Sequence, residues 1–213
     1  MEIVIKGDVN NMKTIFRDEI KSYMIVVLLG ILAGISVVFF SGLSGEGLWA
    51  FSYWSSETFG FWMFSTSLIV LTSDKRKTAI INAIIYIFIM FLITGIYKSV
   101  RDFSDGISPY ASMGIMIEEN VIDWIIYGIE GASICGVLAV FLWCGKKYNS
   151  IWEKVLCILP LVFIMVEGAF LFGIVFREHT KLFSAIVDAV CISIYGILIL
   201  NNHKNKLIVK GNI

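Results

Sequence analysis

Acidic side chains interrupt the long apolar stretches of this chain, and they are its main candidates for chemistry. Asp123 and Glu130 fall in one stretch, Glu167 in the next and Asp188 in the last, while Glu57 lies near the end of an earlier stretch. A charged side chain inside a hydrocarbon layer costs several kcal/mol, so acids in such positions are functional candidates. No Lys or Arg lies deep in any stretch. We therefore expect these acids to hold protons or to bind a cation.

The composition around these acids is that of a membrane protein. Of the 213 residues, 58% are hydrophobic and only 16% are charged, and the mean hydropathy is +0.84. These values exclude a disordered chain, and a net charge of zero leaves no basic surface for nucleic acid. Six apolar runs are long enough to cross ~30 Å of hydrocarbon as helices of ~20 residues. They are 23–43, 54–72, 79–97, 121–144, 155–176 and 182–200.

These runs predict an all-α fold, a bundle of six transmembrane helices. The chain would then divide into a cytoplasmic amphipathic segment 1–22, a transmembrane domain 23–200 and a cytoplasmic basic tail 201–213. Within the first segment, Met12, Ile15, Phe16 and Ile20 follow helical spacing, which favours a short helix on the membrane surface over a simple extension of the first span. The first span is too long for a cleaved signal peptide, so we expect it to remain as an anchor.

The distribution of basic residues predicts the orientation of the bundle. Thirteen of the 17 Lys and Arg residues fall on the side that holds both chain termini, and four fall on the other side. The four are Lys98, Arg101, Arg177 and Lys181. Because basic loops stay in the cytoplasm, both termini should be cytoplasmic. The expected location is the plasma membrane of a bacterium, with the chain in contact with lipid and with no nucleic acid.

This topology predicts similar depths for three of the acids. Glu130 and Glu167 should each lie ~13 Å below the outer end of their helices, and Asp188 ~9 Å below it, at 1.5 Å per residue. Asp123 precedes Glu130 by seven residues and shares its helix face. We therefore expect an acidic cavity that opens outward. The alternative is that each acid is protonated and packs against a neighbouring helix through a hydrogen bond.

Aromatic residues crowd the first outer loop and could cover such a cavity. The candidates for an aromatic lid are Trp49, Tyr53, Trp54 and Trp62. Acids beside aromatic faces suit an organic cation. The alternative is the ordinary belt of Trp and Tyr at a membrane surface.

Catalytic and metal-binding patterns are weak by comparison. The two histidines, His179 and His203, are expected on opposite sides of the membrane, so we predict no histidine metal site. The four cysteines have no close paired spacing and should be free thiols. We expect no enzyme activity, no catalytic residues and no cofactor.

Three short segments of the sequence carry a resemblance to known proteins. The segments Trp54-Ser55-Ser56, Gly60-Phe61-Trp62 and Val166-Glu167-Gly168, together with a basic inner loop, make the chain similar to small, uncharacterised six-span bacterial proteins, a family without an established activity. The number of spans and the inward termini also resemble the substrate-binding subunits of energy-coupling-factor vitamin importers, in architecture alone.

The sequence thus predicts binding or transport of a small cationic or proton-coupled solute. The alternative is a non-catalytic immunity, sensory or accessory subunit that acts through helix contacts with another membrane subunit. Gly30 and Gly34 in the first span could provide such contacts, or could pack within the chain itself.

Overall fold

The protein is seen in a computed structural model that describes residues 14–42, 59–106, 112–146 and 150–211. These residues form six helices: α1 (Ile20–Gly42), α2 (Phe59–Thr72), α3 (Arg76–Ser104), α4 (Met113–Gly145), α5 (Ile151–Glu178) and α6 (Leu182–Gly211). The fold of the described residues is all-α. Five of the helices are long and apolar enough to span a membrane, and α2 is the shorter exception.

The helices form where they do because a chain in lipid must satisfy its backbone hydrogen bonds internally. Side chains define several of the helix ends. The Ser150 hydroxyl accepts from the Glu153 N–H at the start of α5, and the Glu153 carboxylate accepts from the Ser150 N–H, which is a capping box. At the other end of α5, His179 adopts a left-handed conformation with φ of 53° and stops the helix.

The short helix α2 lies at the centre of the bundle, in contact with α3, α4, α5 and α6. Helix α1 packs against α3 instead, through the two glycines that the sequence singled out. A Cβ atom added at Gly34 would lie 2.7 Å from the backbone oxygen of Met90, and one added at Gly30 would lie 3.0 Å from that of Tyr86. Gly30 and Gly34 therefore serve a contact within the chain, because only glycine lets the two backbones approach this closely.

The helix that we predicted for the N-terminal segment is absent from the part that can be described. Residues 14–19 contain no helical turn, and α1 begins only at Ile20. Instead, the N–H groups of Ile15 and Phe16 donate to the Thr72 carbonyl, and the Asp74 N–H donates to the Phe16 carbonyl. Phe16 is buried. The segment is extended because pairing with the α2–α3 turn satisfies its backbone while it buries the phenyl ring.

Charged and polar side chains reinforce this attachment. The Asp18 carboxylate accepts hydrogen bonds from the Tyr23 hydroxyl at 2.8 Å and from Lys75 Nζ at 3.3 Å. These two donors, Tyr23 first and Lys75 second, hold the pKa of Asp18 below its ordinary value. Asp18 is exposed, so the ion pair adds little to stability. The burial of Phe16 is the larger contribution of this segment.

Candidate functional site

Among the described residues, Asp188 is the most completely buried acid. It lies in the second turn of α6, and none of its surface is exposed. Neither carboxylate oxygen has a hydrogen-bond partner among the described residues. A buried carboxylate without a partner is unfavourable as a bare anion. In these surroundings Asp188 is best accommodated as the neutral acid, or as a carboxylate that holds a bound cation.

Two glycines from neighbouring helices make room for this carboxyl group. A Cβ atom at Gly60, in the first turn of α2, would meet Asp188 Oδ1, and would lie 2.9 Å from the carboxyl carbon. On α5, a Cβ atom at Gly168 would lie 3.6 Å from Asp188 Cβ. The side chain is therefore enclosed between α2 and α5, and at Gly60 there is no space for even one more methyl group.

Glu167 is the charged neighbour of Asp188. It precedes Gly168 on α5, is partly buried, and lies close enough for the two carboxyl groups to interact electrostatically. Two like charges oppose each other's ionisation, so Glu167 adds to the effect of burial in favouring a protonated Asp188 or a bound cation. We call Asp188 and Glu167 the acid pair. The structure brings these two predicted residues together.

The other predicted acids lie elsewhere. Asp123 and Glu130 are both exposed on α4, and α4 packs against α2, α3 and α5. Glu130 shares its helix face with the exposed apolar side chains Ile126 and Val137. Of the proposed aromatic lid, only Trp62 can be located. Glu57, Trp49, Tyr53 and Trp54 lie outside the described residues.

Next to the acid pair, the bundle contains an apolar cavity of about 180 Å³ between α2, α3, α4 and α5. We call this cavity the slot. Of the described residues that line it, none is charged. Its lining includes the indole of Trp62 and, on α2, Thr66, whose hydroxyl has no hydrogen-bond partner in the described structure. The slot is slightly larger than an engineered cavity of ~150 Å³ that stays dry and binds benzene.

The opposite end of the bundle holds a buried cation. Lys146, which caps α4, is 4% exposed; its Nζ donates to the Ser73 carbonyl at 2.6 Å and lies 4.4 Å from the Trp143 ring centre. Burial lowers the pKa of Lys146 to about 8, and the nearby Asp74 carboxylate opposes that change. This lysine fastens the end of α4 to the α2–α3 turn.

Sequence reasoning missed three features of these sites. In the sequence, Gly60 and Gly168 stood out only within the segments that carry the family resemblance. Their closeness to the Asp188 carboxyl group could not be predicted, because it depends on how the helices pack. Lys146 counted as one loop charge among many. Its position directly after Trp143-Cys144-Gly145 was the available signal, since a cation beside an aromatic residue at a helix end often stacks on it.

The fold and the site together define an all-α, membrane-embedded protein with a buried Asp188 and a partly buried Glu167 near it. Comparison with protein-family models, with curated proteins and with solved structures found no match. Its function must therefore be argued from the site itself.

Proposed function

We propose that the protein binds a proton or a small cation at Asp188 and Glu167, inside the membrane, and couples this binding to the transport of a small solute. The observation that carries the proposal is Asp188: it is wholly buried, and both of its oxygens lack a hydrogen-bond partner among the described residues. Ionisable residues in membrane helices commonly mark ion pathways and proton relays.

A purely structural role fits Asp188 poorly. An acid that serves as a packing residue donates a hydrogen bond to a neighbouring hydroxyl or carbonyl group. Among the described residues Asp188 has no such partner; its carboxyl group lies against Gly60, and Glu167 is near enough to act on it electrostatically. Two acids near each other, one of them buried without a hydrogen-bond donor, are suited to a proton or a small cation.

The proposal includes the topology predicted from the sequence. We propose six spans in a bacterial plasma membrane, with both termini in the cytoplasm. In this topology the second span is the predicted run at 54–72, of which α2 is the described part. The concentration of basic residues on one side supports this orientation. In it, the acid pair lies in the outer half of the membrane and Lys146 lies at the cytoplasmic end.

The test is a series of melting curves in detergent, from pH 5 to pH 9, with sodium, potassium, ammonium and divalent cations. A cation at a hundredfold excess over its Kd stabilises the folded state by ~2.7 kcal/mol. For a chain of this size that corresponds to roughly 5–10 °C. The shift should grow with pH, because protons and cations compete for the same carboxylates.

The matched variants are Asp188→Asn, Glu167→Gln and Glu130→Gln. Each keeps the shape of the side chain and removes its charge. Asp188→Asn should abolish the cation shift, and Glu167→Gln should weaken it. Glu130→Gln should retain the shift, because Glu130 is exposed on α4 and is not part of the acid pair. A wild type that responds to no cation and to no pH change would refute the proposal, as would a cation shift that survives Asp188→Asn.

One observation favours a second function, that of a subunit within a larger membrane complex. Glu130 is exposed in the middle of α4, on the same helix face as the exposed Ile126 and Val137. An acid that faces lipid at this depth is costly. A second membrane subunit, or another copy of this chain, would remove that cost by covering the face. Glu130→Leu should then weaken the association, as measured by the mass of the complex in mild detergent.

A further inference from the structure

The slot has a defined end, and that end points toward the acid pair. Trp62, Phe91 and Phe163 lie at this end of the lining, and the ring centres of Trp62 and Phe91 are 4.9 Å apart. From Trp62 the lining continues along α2 to Val70, a rise of ~12 Å at 1.5 Å per residue. The slot is therefore elongated parallel to the helix axes.

The acid pair lies beside α2 and α5, two of the helices that line the slot. On α5, Glu167 follows Phe163 by four residues, so it lies on the same helix face and ~6 Å further along. On α2, Gly60 precedes Trp62 by two residues and contacts the Asp188 carboxyl group. Because Gly60 and Gly168 both meet Asp188, these parts of α2 and α5 are level with each other. One turn of helix thus separates an apolar slot from a pair of carboxyl groups.

The slot also opens toward the lipid, between α4 and α5. Ile134 and Leu138 of α4 line it while remaining 61% and 38% exposed, and Phe163 of α5 does the same at 55%. A molecule dissolved in the bilayer could enter here. A molecule with only an apolar surface would gain little from the acid pair, and a bare inorganic cation would gain little from the slot.

We infer that the solute recognised by this protein is an amphipathic organic cation, with its ammonium group at Asp188 and Glu167 and its apolar body in the slot. This inference rests on the proposed function and adds the class of substrate. The two carboxylates supply charge complementarity, and the faces of Trp62 and Phe91 at the junction suit a cation passing between the two compartments. The Thr66 hydroxyl offers one polar contact within the slot.

The test uses primary alkylammonium ions with tails of one to six carbons, which are protonated at neutral pH as lysine is. Their affinities are measured from melting shifts, beside alcohols with the same tails. The affinity of wild type for the ammonium series should rise about fourfold for each added methylene. The rise should stop once the tail outgrows the slot, whereas simple partition into detergent would continue to increase. The alcohols should bind at least tenfold more weakly.

Two neighbouring positions on α4 provide a matched pair of variants. Leu138 lines the slot and Val137 does not, and both are exposed. Leu138→Trp should fill the slot and remove the dependence on tail length while leaving methylammonium binding intact. Val137→Trp, the same substitution one residue away, should bind the whole series as wild type does. If Leu138→Trp does not fold, Ile134→Trp blocks the same opening.

The outcomes separate this inference from the proposal on which it rests. In the first outcome, methylammonium binds to wild type and its binding is lost in Asp188→Asn, but tail length has no effect on affinity, or has the same effect in Leu138→Trp as in wild type. The amphipathic substrate is then refuted and the cation site stands. If alcohols bind as tightly as the ammonium ions, and only Leu138→Trp weakens them, the slot takes neutral apolar chains such as lipid tails, which also refutes the inference. If no cation binds, both proposals fail.

Discussion

Replacement of Gly60 by alanine is the smallest change that probes the geometry of the buried acid. The added Cβ atom would meet the Asp188 carboxyl group, 2.9 Å from its carbon, in a place where Asp188 has no exposed surface into which it can turn. Overpacking of this kind costs ~1–3 kcal/mol. Alanine regains up to ~1 kcal/mol because it favours a helix more than glycine does. We expect a net loss of ~0–2 kcal/mol, with weakened cation binding.

The control is Gly173→Ala on α5, because a Cβ atom there meets nothing within 4 Å. It should be neutral or gain up to ~1 kcal/mol. Gly60→Ala should therefore melt roughly 2–12 °C below Gly173→Ala, for a difference of ~1–3 kcal/mol. The decisive assay is a double-mutant cycle with Asp188→Ala, which removes the carboxyl group that the new methyl group would strike. If Gly60→Ala is as destabilising in the Asp188→Ala background as in wild type, the contact does not explain its cost.

Three further predictions concern other parts of the bundle. Burial lowers the pKa of Lys146 to about 8 from 10.5, so between pH 8 and pH 10.5 the folded protein binds fewer protons than the unfolded chain. The free energy of unfolding should therefore rise by ~3 kcal/mol over this pH range. In melting curves measured across the range, Lys146→Met should flatten the rise. Gly34→Val should destabilise the protein by ~2 kcal/mol or more, since its side chain would strike the Met90 carbonyl, and denaturation of this variant beside Gly173→Val measures the difference. In a cysteine-free background, a cysteine at Arg76 should react with impermeant reagents only from the cytoplasm and one at Asp105 only from outside; the reverse would overturn the proposed orientation.

The helices themselves could largely be predicted from the sequence. The apolar runs at 79–97 and 155–176 lie within α3 (Arg76–Ser104) and α5 (Ile151–Glu178), which extend beyond them into more polar residues at both ends. Hydropathy detects the part of a helix that faces lipid, while capping residues such as Ser150 decide where the helix begins. Only the 59–72 part of the run at 54–72 falls on described residues.

The grouping of the acids could be predicted only in part. Depth along each helix follows from residue spacing, and it placed Glu167 and Asp188 at similar depths. Rotation of a helix about its own axis does not follow from spacing when exposed apolar side chains lie on several of its sides, as they do on α4. For this reason the sequence predicts the same depth and the same role for Glu130 and Glu167, whereas in the structure the Glu130 side chain is exposed on the outside of the bundle.

The N-terminal segment shows a different limit. Its helical spacing of apolar residues was real, but the extended pairing of Ile15 and Phe16 with Thr72 depends on a turn more than fifty residues away. Long-range pairing of this kind overrides local preference, and a single sequence gives no sign of it.

The central claim is that Asp188 carries a proton or a cation inside the bundle, and infrared difference spectroscopy tests it most directly. A neutral carboxylic acid has a C=O stretching band that the carboxylate lacks, so the band reports protonation at this side chain. In wild type at neutral pH without added cation, we expect a carboxylic-acid band that is missing in Asp188→Asn and disappears when a stabilising cation is added. The Glu130→Gln variant should keep both the band and its response. A spectrum in which Asp188→Asn removes no such band, with a wild type that does not respond to any cation, would contradict the account.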